Sequence, residues 1–153
     1  MENIEGEELR ERVNILKKLR ETLLKQREKF RIYLEVLEHE ERAIADGDLD
    51  RLEAHIAIEK SIVNEITNFQ RVIEPLDEMY KKFFPESEES IPKLKESLER
   101  MKSKVIERNK RNQLLLKEKM ELVRSEIKSL RMNMQVTSPY ANIGTPTLID
   151  ITT

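Results

Sequence analysis

On both sides of a short break at Ala45-Asp46-Gly47-Asp48-Leu49, apolar residues recur every three and four positions. Upstream they are Leu9, Val13, Leu16, Leu23, Phe30, Leu34, Leu37 and Ile44; downstream they are Leu49, Leu52, Ile56, Val63, Ile66 and Ile73. That spacing predicts two long helices, each with one apolar seam to bury. Gly47 suits the left-handed conformation that ends a helix, and Asp48 suits capping the start of the next. Two such helices fold back on each other as a hairpin with long side-chain surfaces and no pocket. The pattern favours binding another protein over chemistry.

Composition narrows the class further. Of 153 residues, 38% are charged and 5% aromatic, with only three glycines. A chain rich in Glu, Lys, Arg and Leu and poor in turn formers is typical of long helices and coiled coils. The net charge of −2, with acids and bases interspersed, recommends neither nucleic acid nor acidic lipid as a partner. Cysteine is absent, so a reducing cytoplasm is the simplest location. The acidic segment Met1 to Glu8 lacks the apolar centre of a secretory signal. No run of roughly 18 apolar residues is present, which argues against an integral membrane segment.

The first helix is expected over about 7–45. Arg20, Arg27 and Glu41 interrupt its seam, and long charged side chains can lay their stems across such positions. The second is expected over about 49–82, with a kink or stop at Pro75, whose ring removes a donor and disfavours helix at Glu74. Pro85 to Ser90 reads as a polar connector. Pro92 sits where a first-turn proline is tolerated, opening a third helix over about 92–134. Its early seam is Leu94, Leu98, Met101 and Val105, followed by a polar stretch at Arg108, Asn109, Asn112 and Gln113. Apolar residues then become denser, from Leu114 to Met134. Residues 135–153 hold Pro139, Gly144, Pro146, five threonines and one charged residue, Asp150, and read as a flexible tail. The expected architecture is all-α: an elongated antiparallel bundle or coiled coil of three long helices in a domain spanning 1–134, followed by that tail.

Few residues suggest a reactive site. His39 and His55 flank the turn, but Val36 and Leu52 stand where a Glu-x-x-His bundle metal site needs its glutamates. They read as solvated surface histidines, and no metal or cofactor is expected. Arg108-Asn-Lys-Arg111 is basic but has glutamates close by and no interleaved aromatic, so it reads as a solvated helix face rather than a nucleic-acid site. Glu21/Lys25, Glu38/Arg42, Glu96/Arg100 and Glu107/Arg111 place an acid four residues before a base, which supports helix. There is no Ser/His/Asp set, phosphate loop or carboxylate pair in apolar surroundings, and the chain reads as a non-enzyme. The polar break at Asn112 has two readings: it fixes the register of a seam, or it marks where the third helix leaves the bundle. The surplus apolar surface beyond it is either a second packing face or a docking site.

At Tyr33-Leu-Glu-Val-Leu-Glu-His-Glu-Glu-Arg-Ala-Ile-Ala-Asp-Gly-Asp-Leu-Asp-Arg-Leu-Glu53, followed by Ile58-Glu-Lys-Ser-Ile62, the chain resembles the helical hairpin of the FlgN-type flagellar export chaperones. Gly47, Asp48, Glu59 and Lys60 stand at that family's turn and Glu-Lys positions. Asn109-Lys-Arg-Asn-Gln-Leu-Leu-Leu116 is similar to its later Asn-x-x-Asn-x-x-Leu-Leu element, and Ser138-Pro-Tyr-Ala-Asn-Ile-Gly144 to its tail element. Ala141 departs from the family where a glycine often follows the tyrosine. The similarity spans about residues 9–151.

The resemblance implies a cytoplasmic chaperone for the hook-associated proteins of the hook–filament junction. Such a chaperone binds the C-terminal helical segments of its clients, prevents premature assembly and delivers them to the cytoplasmic domain of the flagellar type III export gate. Carried over, Leu115, Met120, Val123, Ile127 and Leu130 would lie in the client-binding region, and Tyr140 would dock on the gate. A structural coiled-coil scaffold or tether that self-associates is the alternative.

Overall fold

The structure, a computed structural model, describes residues 2–83 and 90–137, with side chains described over 5–83 and 90–134. Three helices account for these residues: α1, Glu2–Asp46; α2, Leu49–Phe83; and α3, Ser90–Thr137. They pack against one another as an all-α bundle.

The α1–α2 turn is built from its own residues. Gly47 adopts φ 69°, a left-handed conformation that costs an L-residue about 1–2 kcal/mol and glycine almost nothing. The Asp48 amide then donates to the Ala43 carbonyl at 3.0 Å, and the Gly47 amide to the Ile44 carbonyl at 3.2 Å. These two bonds close α1 as a Schellman cap. Asp48 caps α2 in turn, its carboxylate accepting from the Arg51 amide at 3.1 Å, with the Arg51 side chain 3.3 Å from Asp46.

Each helix carries a track of sheltered residues in alternating steps of three and four. On α1 the sheltered positions are Arg12, Leu16, Leu19, Leu23, Gln26, Phe30, Tyr33, Leu37, Glu40 and Ile44. On α2 they are Leu52, His55, Glu59, Ile62, Ile66, Phe69, Ile73, Leu76, Tyr80 and Phe83; on α3, Ile91, Leu94, Leu98, Met101, Val105, Arg108, Asn112 and Leu115. These are coiled-coil seams. The expected seam is correct at Leu16, Leu23, Phe30, Leu37 and Ile44 on α1, with Leu34 half-buried, and at Leu52, Ile66 and Ile73 on α2. The rest differs. Leu9, Val13, Leu49, Ile56 and Val63 are exposed, as is Arg20, while Leu19, Gln26, Tyr33 and Glu40 face inward instead. α1 also shelters Thr22, Lys29, Val36 and Ala43 beside its seam. A helix with a neighbour on each side needs a wider stripe than a two-stranded coil does.

Two apolar clusters fill the bundle. Leu19, Leu23, Ile73, Tyr80, Ile91, Leu94 and Leu98 form one, with Leu16, Phe30, Phe69 and Leu76 against it. Tyr33, Val36, Leu37, Ile62 and Val105 form the other. Numbering rises together on α1 and α3 and falls on α2, so successive helices run antiparallel. α2 continues through Pro75 without stopping. Pro75 is exposed, and Ile73, Leu76 and Tyr80 around it are sheltered; their burial, at about 1.5–3 kcal/mol for each large side chain, offsets one missing backbone bond. Arg12 lies over the Phe83 ring at 5.6 Å, joining the early part of α1 to the end of α2.

The chain forms two compact units, Met1–Leu115 and Leu116–Thr153. The boundary falls inside α3, whereas composition alone divides the chain after Met134. Helix also runs three residues past that point, to Thr137.

Candidate binding face

Within the second unit, α3 carries an apolar stripe that is exposed from Met120 onward. Leu116, Met120, Val123, Ile127, Leu130 and Met134 follow steps of four, three, four, three and four. This places all six on one helix face. Leu116 is half-buried, and the other five are exposed, from 45% at Ile127 to 65% at Met134. Leu122 and Met132 are exposed as well. Lys, Arg, Glu and Ser occupy most of the intervening positions, so the helix is amphipathic with its apolar side bare.

Four of the five residues expected to bind a client, Met120, Val123, Ile127 and Leu130, therefore share one exposed face. Leu115 is placed otherwise. It is half-buried in the first unit and ends the seam that runs from Ile91 through Asn112. The stripe of the second unit starts one residue later, at Leu116, so its register is one step out from the seam before it. Leu116 and Met134 complete the stripe; both belong to the apolar surplus seen in the sequence but not to the five residues expected to bind a client, although the three-and-four spacing places them on the same face. Tyr140 lies outside the described residues.

The polar break before this boundary is a built feature of the first unit. Asn112 is 1% exposed. Its side-chain nitrogen donates to the Leu37 carbonyl at 2.8 Å and to the Glu40 carboxylate at 3.2 Å, which fits the register-fixing reading. Glu40 in turn faces Glu59 on α2. Burial, then the hydrogen bond with Glu40 and its charge, push the Glu59 carboxyl up to about 8. Burial is also the main reason the Tyr33 phenol is raised, with Glu59 and Glu40 adding to it. A carboxylate pair in partly apolar surroundings is thus present after all. Glu40 and Glu59 lie 19 residues apart on different helices, so local spacing could not reveal it.

The basic run is less free than its sequence suggests. Arg108 lies 3.3 Å from Glu41 and 3.6 Å from Glu38, and Arg111 lies 3.1 Å from Glu41. Both arginines pair across to α1 rather than along α3. His39 and His55, which flank the turn in sequence, stack with ring centroids 6.2 Å apart. No cluster of three or more metal-ligating side chains exists among the described residues. No helix among them is long and apolar enough to cross a membrane.

A protein of Treponema pallidum (strain Nichols), bearing the name "Uncharacterized protein", is 26% identical over 148 residues, covering 97% of this chain and 96% of its own length. No protein-family model matches the chain, and no solved structure matches it.

Proposed function

We propose that the protein is a cytoplasmic export chaperone of the FlgN type. It holds the C-terminal helical segments of hook-associated proteins, keeps them from assembling early and hands them to the cytoplasmic domain of the flagellar export gate. The observation that carries this reading is the bare three-and-four stripe from Leu116 to Met134. A client's amphipathic helix laid along it buries apolar side chains at roughly 25 cal/mol per Å² before ordering costs. Met120 and Met134 suit a face that accepts more than one sequence, because unbranched thioether chains repack readily. Binding rather than catalysis is the proposed activity, with no cofactor or metal. Arg108 and Arg111, already committed to glutamates, give little to a nucleic acid. Tyr140 is the proposed contact with the gate.

The experiment is to mix the purified chain with C-terminal fragments of hook-associated proteins and weigh the product by light scattering after size exclusion. A stable one-to-one complex is expected. A homodimer that ignores every fragment would overturn the chaperone reading in favour of a self-associating scaffold, since the same stripe also fits a second copy.

A further inference from the structure

Each helix of the first unit places a polar side chain on its seam at one level of the bundle: Glu40 from α1, Glu59 from α2 and Asn112 from α3. Glu40 is 6% exposed. Its Oε1 receives the Asn112 amide at 3.2 Å, while its Oε2 is buried with no donor. The Glu59 Oε1 is likewise buried with no donor. Two ionised carboxylates are acceptors only and leave both orphan oxygens unsatisfied. A proton held by one and donated to the other satisfies both at once.

We propose that Glu40, Glu59 and Asn112 form a proton-gated clamp, in which one proton between the two carboxyls keeps α3 seated on the α1–α2 hairpin and its departure loosens α3 around residues 105–115. This does not depend on the chaperone reading. The neighbourhood supports it from all three helices. On α1, Tyr33 lies nearby and is itself buried; Glu38 and Glu41 are occupied by arginines; and His39 stacks on His55. On α2, His55 stands one turn before Glu59, its Nδ1 buried without a partner. On α3, Arg108 and Arg111 are spent on Glu38 and Glu41. The described ion pairs give neither Glu40 nor Glu59 a cation. When the proton leaves, two like charges face each other in a poorly hydrated site, and water must enter to solvate them. The hairpin is held by its own covalent turn and caps. At this level α3 is tied to the hairpin by side chains alone, Asn112 to Leu37 and Glu40 and the two arginines to Glu38 and Glu41, so it is the element that gives.

The absence of cysteine allows clean labelling of the full chain. In wild type and Glu59→Gln, the exposed positions Arg42→Cys and Lys110→Cys would carry spin labels, with the interlabel distance distribution measured at pH 6.5 and pH 9. Carbon-13 NMR of the glutamate carboxyls in the unlabelled protein would run in parallel. One glutamate carboxyl is expected to titrate far above the ordinary range and to disappear in Glu59→Gln. The interlabel distribution is expected to broaden and lengthen at pH 9 in wild type and to stay narrow in the variant. Glutamates that all titrate in the ordinary range would overturn the shared proton. A wild-type distribution identical at the two pH values would overturn the clamp. The wild-type NMR titration and distance series decide both points even if Glu59→Gln fails to fold.

Discussion

The Asn112 side-chain nitrogen on α3 lies 2.8 Å from the Leu37 carbonyl oxygen on α1, across 75 residues of sequence. A side chain that bonds a neighbouring helix's backbone fixes where along that helix it sits, and this one also serves Glu40. Asn112→Ala should therefore lower unfolding stability by about 1–3 kcal/mol, the cost of leaving a buried polar partner without its donor. Urea unfolding followed by circular dichroism would measure it. An unchanged midpoint would remove Asn112 from any role in register.

Leu19 and Val13 give a sharper test of the packing register. Leu19 is 0% exposed and Val13 is 54% exposed, although sequence periodicity selects Val13. Leu19→Ala should destabilise by about 2–5 kcal/mol, and Val13→Ala should stay within about 0.5 kcal/mol. Equal effects would mean that the inward track of α1 is misassigned.

At Gly47 nothing lies within 4 Å of where a Cβ would stand, so space is not the constraint. The positive φ is. Gly47→Ala should cost about 1 kcal/mol from conformation alone, and Gly47→Asn less, because asparagine tolerates this region better. Thermal unfolding of the two variants would rank them, and the reverse order would refute the account.

For the proposed client face, Ile127→Asp combined with Leu130→Asp should weaken binding of a hook-associated fragment at least tenfold. Helicity should not change, because both side chains are already exposed. Titration calorimetry with circular dichroism separates the outcomes: lost helicity would make these residues structural. Removing 138–153, or Tyr140→Ala alone, should spare that binding and abolish association with the gate's cytoplasmic domain.

Stability should also depend on pH through Glu59. Its carboxyl releases a proton near 4.5 when unfolded and near 8 when folded, so between those values the folded chain holds a proton that the unfolded chain has lost. The contribution is complete below about 4.5 and declines as pH rises towards 8, where it levels off. Because Glu59 is only half-buried, solvent screening reduces the total stability that this proton carries. Urea midpoints from pH 5 to 9 should fall less in Glu59→Gln than in wild type; parallel curves would exclude Glu59 as the titrating group.

The turn was legible because Gly47 and Asp48 act locally, through one backbone conformation and one cap. The helices were legible from their apolar spacing. Part of each seam was not, because Gln26, Glu40, His55 and Glu59 occupy inward positions that hydrophobicity does not mark, while Val13, Leu49, Ile56 and Val63 offer exposed apolar substitutes. The persistence of α2 past Pro75 depends on tertiary burial of Ile73, Leu76 and Tyr80, which outweighs a local rule. Arg108 pairs with glutamates 67 and 70 residues away, Glu41 and Glu38, and no local window shows that. The surplus of apolar residues beyond Leu114 was visible in sequence, but its one-residue change of step at Leu116 became clear only once the preceding seam was known.

Every hydrogen bond that shapes the Gly47 turn begins and ends between Ala43 and Leu52. During synthesis, the two arms of the hairpin can therefore meet as soon as the chain has grown through Phe83, with loop closure costing almost nothing. Leu19, Leu23 and Tyr80 must then wait with part of their surface bare until Ile91, Leu94 and Leu98 arrive. The nascent protein passes through an age at which it is a finished hairpin with an open flank. In that interval its own third helix must reach the flank before another chain's helix does.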